Sequence, residues 1–326
     1  MFKGCTKLSE IYTDLTSLST NLNNTNSDEW LSGVSSTGTL YCLDDSDVST
    51  RNSTTIPAGW DNVYAYLYIE NIDTNDGDVK LNDFEDHSTG QDKDVFLLYS
   101  TDNGVSWDDY DFTSAITIGQ NEKVLFKAGK ESDSTYMSNP YFSDFSGGHM
   151  FEFSLSNSAS STSYAVGGNI MSLLNQRRNV SDFATNPDYE GCFNGLFVGL
   201  DKITKADKLH LPAMELANSC YLAMFEGCSS LTTAPKLPAT TLAPNCYQEM
   251  FSDCESLTAA PDLPATTLVS SCYNCMFARC FLISRVNVGF DYSKTYSDNE
   301  LNYWMDYLSN VTIYEIDGTT VQGTIN

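Results

Sequence analysis

Positive charge is what this chain of 326 residues most lacks. Its 17 lysines and arginines face 43 aspartates and glutamates, a formal charge of -26. Such a field repels a phosphate backbone or an anionic bilayer, which excludes nucleic acid as a ligand. Long apolar runs are missing too: none reaches the roughly 18 residues of a spanning helix, and no membrane insertion is expected. The opening residues, MFKGCTKLSE, have no apolar stretch of the kind a leader carries, so no signal peptide is expected. Histidine is scarce, and His87, His149 and His210 stand in unrelated contexts; no catalytic triad is predicted. Nor is there a glycine-rich phosphate cradle. Ten cysteines in this length are too few for a disulfide scaffold.

Apolar residues at 41% and aromatics at 12% are enough for a packed core, and the length suggests two domains. Seven of the ten cysteines fall between Cys220 and Cys280, and they are periodic. Cys220, Cys246 and Cys272 are spaced by 26, as are Cys228, Cys254 and Cys280. The same period carries Met224, Met250 and Met276; Phe225, Phe251 and Phe277; Tyr221, Tyr247 and Tyr273; Pro212, Pro238 and Pro264. A fainter copy places Phe197 28 residues before Phe225. A fixed period of this length marks a stacked repeat.

Within a unit, LTTAPKLP suits a short extended segment between prolines. In TLAPNCYQEMFSDC, Thr241 is a plausible N-cap, and Leu242, Cys246 and Met250 with Ala243, Tyr247 and Phe251 make two i, i+4 rows. Those rows predict a short helix. A strand and a helix per 26 residues predict a solenoid coil in which Cys, Phe and Leu rungs stack on themselves. The cysteines then read as buried reduced thiols, since rung neighbours run parallel and disulfide torsions are hard to reach there.

The unit MFxxCxSLTxAPxLPATTLxxxCYxx resembles the BspA-type leucine-rich repeats of bacterial and phage surface proteins. The resemblance covers about residues 166 to 326 and a piece at the N-terminus. It implies a mixed α/β leucine-rich-repeat solenoid and an extracellular or cell-surface setting, where the partner is a host or bacterial protein or a glycan. The two chain ends match one another: Met1, Phe2, Cys5 and Leu8 align with Met276, Phe277, Cys280 and Ile283, and Thr39-Leu40-Tyr41 with Thr312-Ile313-Tyr314. Terminal coils of solenoids are atypical. Residues 1–61 are therefore expected to be the closing cap of a preceding array, and 276–326 the cap of the solenoid at 166–326. Neighbouring tandem modules of a longer chain would be partners.

From about Val63 to Leu155 the period changes to two, in runs such as VYAYLYIE, DVFLLYS and EKVLFKAG separated by Asp76-Gly77 and Asn103-Gly104. This predicts a small immunoglobulin-like β-sandwich over residues 62–165. It is acidic: residues 68 to 156 hold 18 acids and 5 bases. Ser100 to Trp107 fits S-x-D-x-G-x-x-W, the Asp-box pattern of sialidases, which here reads as a hairpin brace with Asp102 on the turn backbone and Trp107 packed beneath.

Candidate sites are few. Asp73, Asn75, Asp76 and Asp78 resemble a calcium loop, although Gly77 stands where a ligand is needed, so calcium is at most a weak expectation and no other cofactor is expected. Cys272, Cys275 and Cys280 lack a fourth zinc ligand. The ligand surface is expected on the strand side of the repeats, at Thr232, Thr233, Lys236, Thr258 and Asp262, whose short or polar side chains suit glycans or extended polypeptide. A competing site is the acidic loop rim of the sandwich, with Asp73, Asp76, Asp78 and Asp102. No catalytic residue is picked out. The chain reads as a non-enzymatic recognition module, or alternatively as the accessory binding module of a glycan-active enzyme whose catalytic domain lies outside it.

Overall fold

The computed structural model describes residues 10–13, 38–42, 60–64, 66–83, 97–129, 151–156, 163–174, 189–296 and 298–325. In chain order the strands are β1 (Glu10–Thr13), β2 (Gly38–Cys42), β3 (Trp60–Tyr64), β4 (Leu67–Asn71), β5 (Gly77–Asp83), β6 (Leu97–Ser100), β7 (Asp108–Asp109) and β8 (Ile116–Ile118). They continue with β9 (Lys123–Ala128), β10 (Phe151–Ser156), β11 (Tyr164–Asn169), β12 (Ile203–His210), β13 (Arg285–Val288), β14 (Val311–Glu315) and β15 (Val321–Ile325). Among the described residues four sheets result, ordered β1-β2-β3, β10-β5-β8, β12-β11-β4-β9-β6-β7 and β13-β14-β15.

The middle segments pack two of these sheets face to face. Alternation puts Leu67 and Ile69 of β4 and Val124 and Phe126 of β9 inward, against Val79 and Leu81 of β5 and Phe151 and Phe153 of β10. Phe126 meets Phe153 edge-on with centroids 5.3 Å apart. The Tyr110 hydroxyl is spent internally, accepting from the Leu81 N–H at 3.0 Å. Tyr68 lies flat across β11, where a Cβ on Gly167 would fall 2.2 Å from its hydroxyl; only glycine admits that approach.

Two layers are present, but not the free-standing immunoglobulin-like sandwich expected. The larger sheet runs on through β11 into β12 by a parallel pairing, Gly168 opposite Leu209. Phe153 donates its N–H to the Leu196 carbonyl and stacks on Phe197 at 5.4 Å. One apolar cluster therefore extends from the sandwich into the repeats.

The mixed α/β solenoid is also corrected. Among the described residues there is no α-helix, only a short 3-10 turn at Ile170–Leu173. Where a helix was expected after Thr241, the backbone is a ribbon of tight turns. Every fourth residue is left-handed: Asn245, Glu249 and Asp253 in one unit, Ser219, Ala223 and Gly227 before it, and Ser271, Cys275 and Arg279 after it, with φ from 52 to 72°. Alternate N–H groups close local turns, Cys246 to Ala243 O and Gln248 to Asn245 O. The others reach the next unit: Asn245 to Ser270 O, Tyr247 to Cys272 O, Glu249 to Asn274 O and Phe251 to Met276 O. A helix would direct all of these N–H groups inward along its own axis. Here half of them tie one repeat to the next, so the strand-and-helix coil of a leucine-rich repeat is absent although the 26-residue period is real.

Five such ribbons lie side by side, the outer two beginning at Gly191 and Asn299. Their inward residues form columns. Phe197, Phe225, Phe251 and Phe277 stack at 5.1, 5.8 and 5.8 Å, and Tyr221, Tyr247 and Tyr273 at 5.7 and 5.9 Å. Each of the three thiols Cys228, Cys254 and Cys280 donates to a phenylalanine carbonyl of the preceding unit, at 3.0 to 3.1 Å. The cysteine thus supplies a small apolar body and a weak donor for a second lone pair. The eight cysteines from Cys192 to Cys280 are free, and all of these but Cys275 are buried.

The strand side of the repeats is linked by parallel bridges, Lys205 to Thr233 and Leu263 to Val288, and closed by β13, β14 and β15. β13 and β14 pair in parallel with Arg285 opposite Thr312. At the other end β1 and β2 pair in parallel with Glu10 opposite Thr39. Those are the positions that the sequence match between the two ends superposes, so both ends build the same strand pair. Apart from Trp60 and Asp61 at the start of β3, the rest of the cap expected at 1–61 lies outside the described residues.

Candidate functional site

The open strand side of the stack brings together the residues expected to bind a ligand. Thr232 and Thr258 are tied to the backbone, their hydroxyls donating to Thr204 O at 2.7 Å and Thr232 O at 3.2 Å. Thr233 Oγ1 donates to Asp207 of β12 at 3.0 Å. Lys236 is exposed, one unit from Asp262 at the same repeat position. These threonines brace adjoining coils, and their hydroxyl protons are committed before any ligand arrives.

Asp262 belongs to a larger network that the sequence reading did not assemble. Its Oδ1 accepts from Asn287 Nδ2 of β13 at 2.7 Å. Asn287 Oδ1 in turn accepts from Arg285 Nε at 3.1 Å, and an Arg285 terminal nitrogen donates to the Gly318 carbonyl. The guanidinium lies 4.0 Å over the ring of Tyr314 on β14. Four polar or aromatic side chains from three successive segments are therefore held in one line on an exposed face. A fixed guanidinium on an aromatic ring retains further N–H groups for a carboxylate or hydroxyl. The only sequence signal was the period itself, which carries Lys236 to Asp262; the next step is 25 residues, from Leu263 to Val288, and that slip hid Asn287.

The Asp-box hairpin forms between β6 and β7. Asp102 accepts from the Ser106 N–H at 2.9 and 3.0 Å and its hydroxyl at 2.6 Å, and from Ser100 at 2.7 Å. The Ser106 hydroxyl, foremost, and these other donors hold its carboxyl down at about 2. Gly104 has φ of 85° and its carbonyl takes the Trp107 indole N–H at 3.0 Å. Trp107 packs edge-on to Tyr66 at 4.8 Å under Lys127, 3.7 Å from the ring centre. The motif is a brace, as its chemistry suggests.

Beside it lies a cleft of about 380 Å³ lined by Tyr99, Asp108, Asp109, Tyr110 and Asp111 among others. Asp111 is held down at about 2, chiefly by the Ser114 N–H. Its carboxylate is thereby folded onto its own turn. The proposed calcium loop is similarly occupied by itself. Asp73 accepts from the Thr74 N–H at 2.6 Å and from Asn75 at 3.4 Å, while Asp78 turns to Thr117 of β8 at 2.6 Å. Among the described residues no three of histidine, cysteine, aspartate and glutamate converge as a metal site. His87 and His149 lie outside the described residues.

On the opposite, ribbon side of the stack the charge is acidic. Burial, then Glu249 and Asp253 nearby, raises the Glu226 carboxyl. Burial, then Glu249 and Asp306, raises the Cys275 thiol. Arg279 pairs with Asp253 at 2.9 Å. Comparison of the chain with protein-family models, curated proteins and solved structures found no match.

Proposed function

We propose that the chain is a non-enzymatic recognition module that holds an extracellular protein or glycan on the strand side of its repeat stack. The observation that carries this reading is the line Asp262, Asn287, Arg285 and Tyr314, ordered by its own contacts across adjoining segments, with Asp262 and Arg285 exposed and Asn287 and Tyr314 half-buried. Preorganised groups on rigid strands lose little freedom on binding, which is what a recognition surface requires. The resemblance of the MFxxC and LPATTL wording to BspA-type surface repeats supports an extracellular setting and tandem neighbours. Buried thiols suit that setting, since the folded stack keeps them from oxidants.

The test is a panel of glycans and surface proteins presented to the whole chain and to an Asp262→Ala/Asn287→Ala variant, with and without chelator. Binding that the variant loses by tenfold or more supports the strand side. Binding that the variant keeps and chelator abolishes would move the site to the acidic loops at Asp73, Asp76, Asp78 and Asp102.

A further inference from the structure

The bases of the repeat stack are not scattered. From residue 203 onward they are Lys205, Lys208, Lys236, Arg279, Arg285 and Lys294, and four of these stand in the strand-side segments. Lys205, Lys208, Lys236 and Arg285 are all exposed. The ribbon side has Arg279 alone, and it is paired to Asp253 among Glu226, Glu249 and Asp306. Two of the acids on the strand side are engaged by neutral partners, Asp207 by Thr233 and Asp262 by Asn287. Among the described residues neither Lys205 nor Lys208 is in an ion pair. The bonds of Asp207 and Asp262 leave the carboxylate charges in place. Yet in a chain of charge -26 the strand-side segments 203–210, 231–237, 257–263, 285–288 and 311–315 carry Lys205, Lys208, Lys236 and Arg285 against Asp207, Asp262 and Glu315, a local excess of bases.

Geometry adds spacing. Lys205 and Lys208 stand on β12 and Arg285 on β13, three strand steps apart, about 14 Å at the usual inter-strand distance. The ligand must therefore be extended and charged at more than one point. Extended peptides commonly bind sheets by pairing with a free edge, but β12 is paired with β11 and bridged to Thr233, and β13 lies between β14 and Leu263. Recognition across this face must use side chains, as for a saccharide lying over the strands.

We infer that the strand side binds an acidic glycan, a polysaccharide bearing carboxylates, through Lys205, Lys208 and the braced guanidinium of Arg285. This rests on the strand-side reading above and narrows its ligand class. Arg285 supplies the directional contact, because its orientation is fixed by Asn287, Gly318 and Tyr314, while the two lysines act as point charges.

The experiment titrates the whole chain, in chelator, with de-esterified polygalacturonate and with its full methyl ester, which has the same backbone without the charge. The acid form should bind, the ester at least tenfold more weakly, and rising salt should weaken the complex by screening. The variant Lys205→Gln/Lys208→Gln/Arg285→Gln should lose at least tenfold while still unfolding in one cooperative transition, since all three side chains are exposed. Arg285→Lys, which keeps the charge and loses the fork, should fall between. Equal binding of acid and ester, or acid-form binding unchanged in the triple variant, would overturn the inference. So would capture of polyglutamate but not polygalacturonate. A neutral glycan or a protein held by the strand side in place of the acid form would remove this inference alone, whereas a ligand held only at the acidic loops would remove the strand-side reading with it.

Discussion

Replacing Phe251 by alanine tests how the repeat core is held. The ring is fully buried, stacked on Phe225 at 5.8 Å and on Phe277 at 5.8 Å with planes 10° and 4° apart. Removing it leaves a void bounded above and below by rings whose backbones are locked by inter-unit hydrogen bonds, Phe225 N to Met250 O and Phe251 N to Met276 O. Collapse is therefore restricted, and the loss should fall in the range of about 3 to 5 kcal/mol seen for phenylalanine truncation. For a folding unit of this size each kcal/mol moves the midpoint by roughly 2 to 4 °C, so Tm should drop by about 6 to 20 °C. Tyr307, 73% exposed on the last ribbon, is the control, and Tyr307→Ala should stay within about 0.5 kcal/mol. Calorimetry of the three proteins decides. A Phe251→Ala midpoint within about 2 °C of the parent would refute the stacked column.

Other expectations follow from the same core. The hydroxyls of Tyr247 and Tyr273 are buried without a hydrogen-bond partner, so Tyr247→Phe and Tyr273→Phe should each stabilise the chain by about 1 kcal/mol; denaturant midpoints that fall instead would show that the hydroxyls are satisfied. Burial pushes the thiols of Cys228 and Cys280 up to about 12 and Cys272 to about 11, from 9.0. A raised folded pKa means stability is whole below pH 9 and declines as pH rises toward 11 and 12, because the unfolded thiols ionise first. The slope is up to about 1.4 kcal/mol per pH unit for each thiol, and urea midpoints that are flat between pH 8.5 and roughly 10.5 would contradict it. Ser271 has φ of 52°, so Ser271→Val should cost about 1 to 2 kcal/mol while Ser271→Gly stays within about 0.5; equal melts for the two variants would place the residue outside the left-handed region.

The 26-residue period and the residues of each column were legible because a stack must repeat its buried side chains at a fixed step. The conformation between columns was not. Apolar residues at Leu242, Cys246, Met250 and Cys254 recur every four positions, and both a helix face and a ribbon of four-residue turns place them on one side. What separates the two is the destination of alternate N–H groups, which no single unit reveals. One sequence mark did distinguish them: Gly191, Gly195 and Gly199 recur every four residues in the fainter copy, each at φ of 62 to 67°. A helix has no use for that spacing, whereas a ribbon with a left-handed residue in each turn does. In the middle segments alternation located the strands β4, β6 and β9, but nothing local signalled that β11 would pair in parallel with β12 and carry the sheet into the repeats. The strand-side residues Thr233 and Asp262 were found as short or polar side chains in the extended half of the repeat unit. Arg285 and Tyr314 were missed because they belong to the closing segments, where the repeat wording has faded.

The most direct measurement is hydrogen exchange of the whole chain with and without a captured ligand. Strand-side recognition predicts added protection in residues 203–210, 257–263, 285–288 and 311–315, with 97–117 unchanged. Protection confined to residues 71–78 and 97–117, leaving the strand side of the stack as it was, would contradict it.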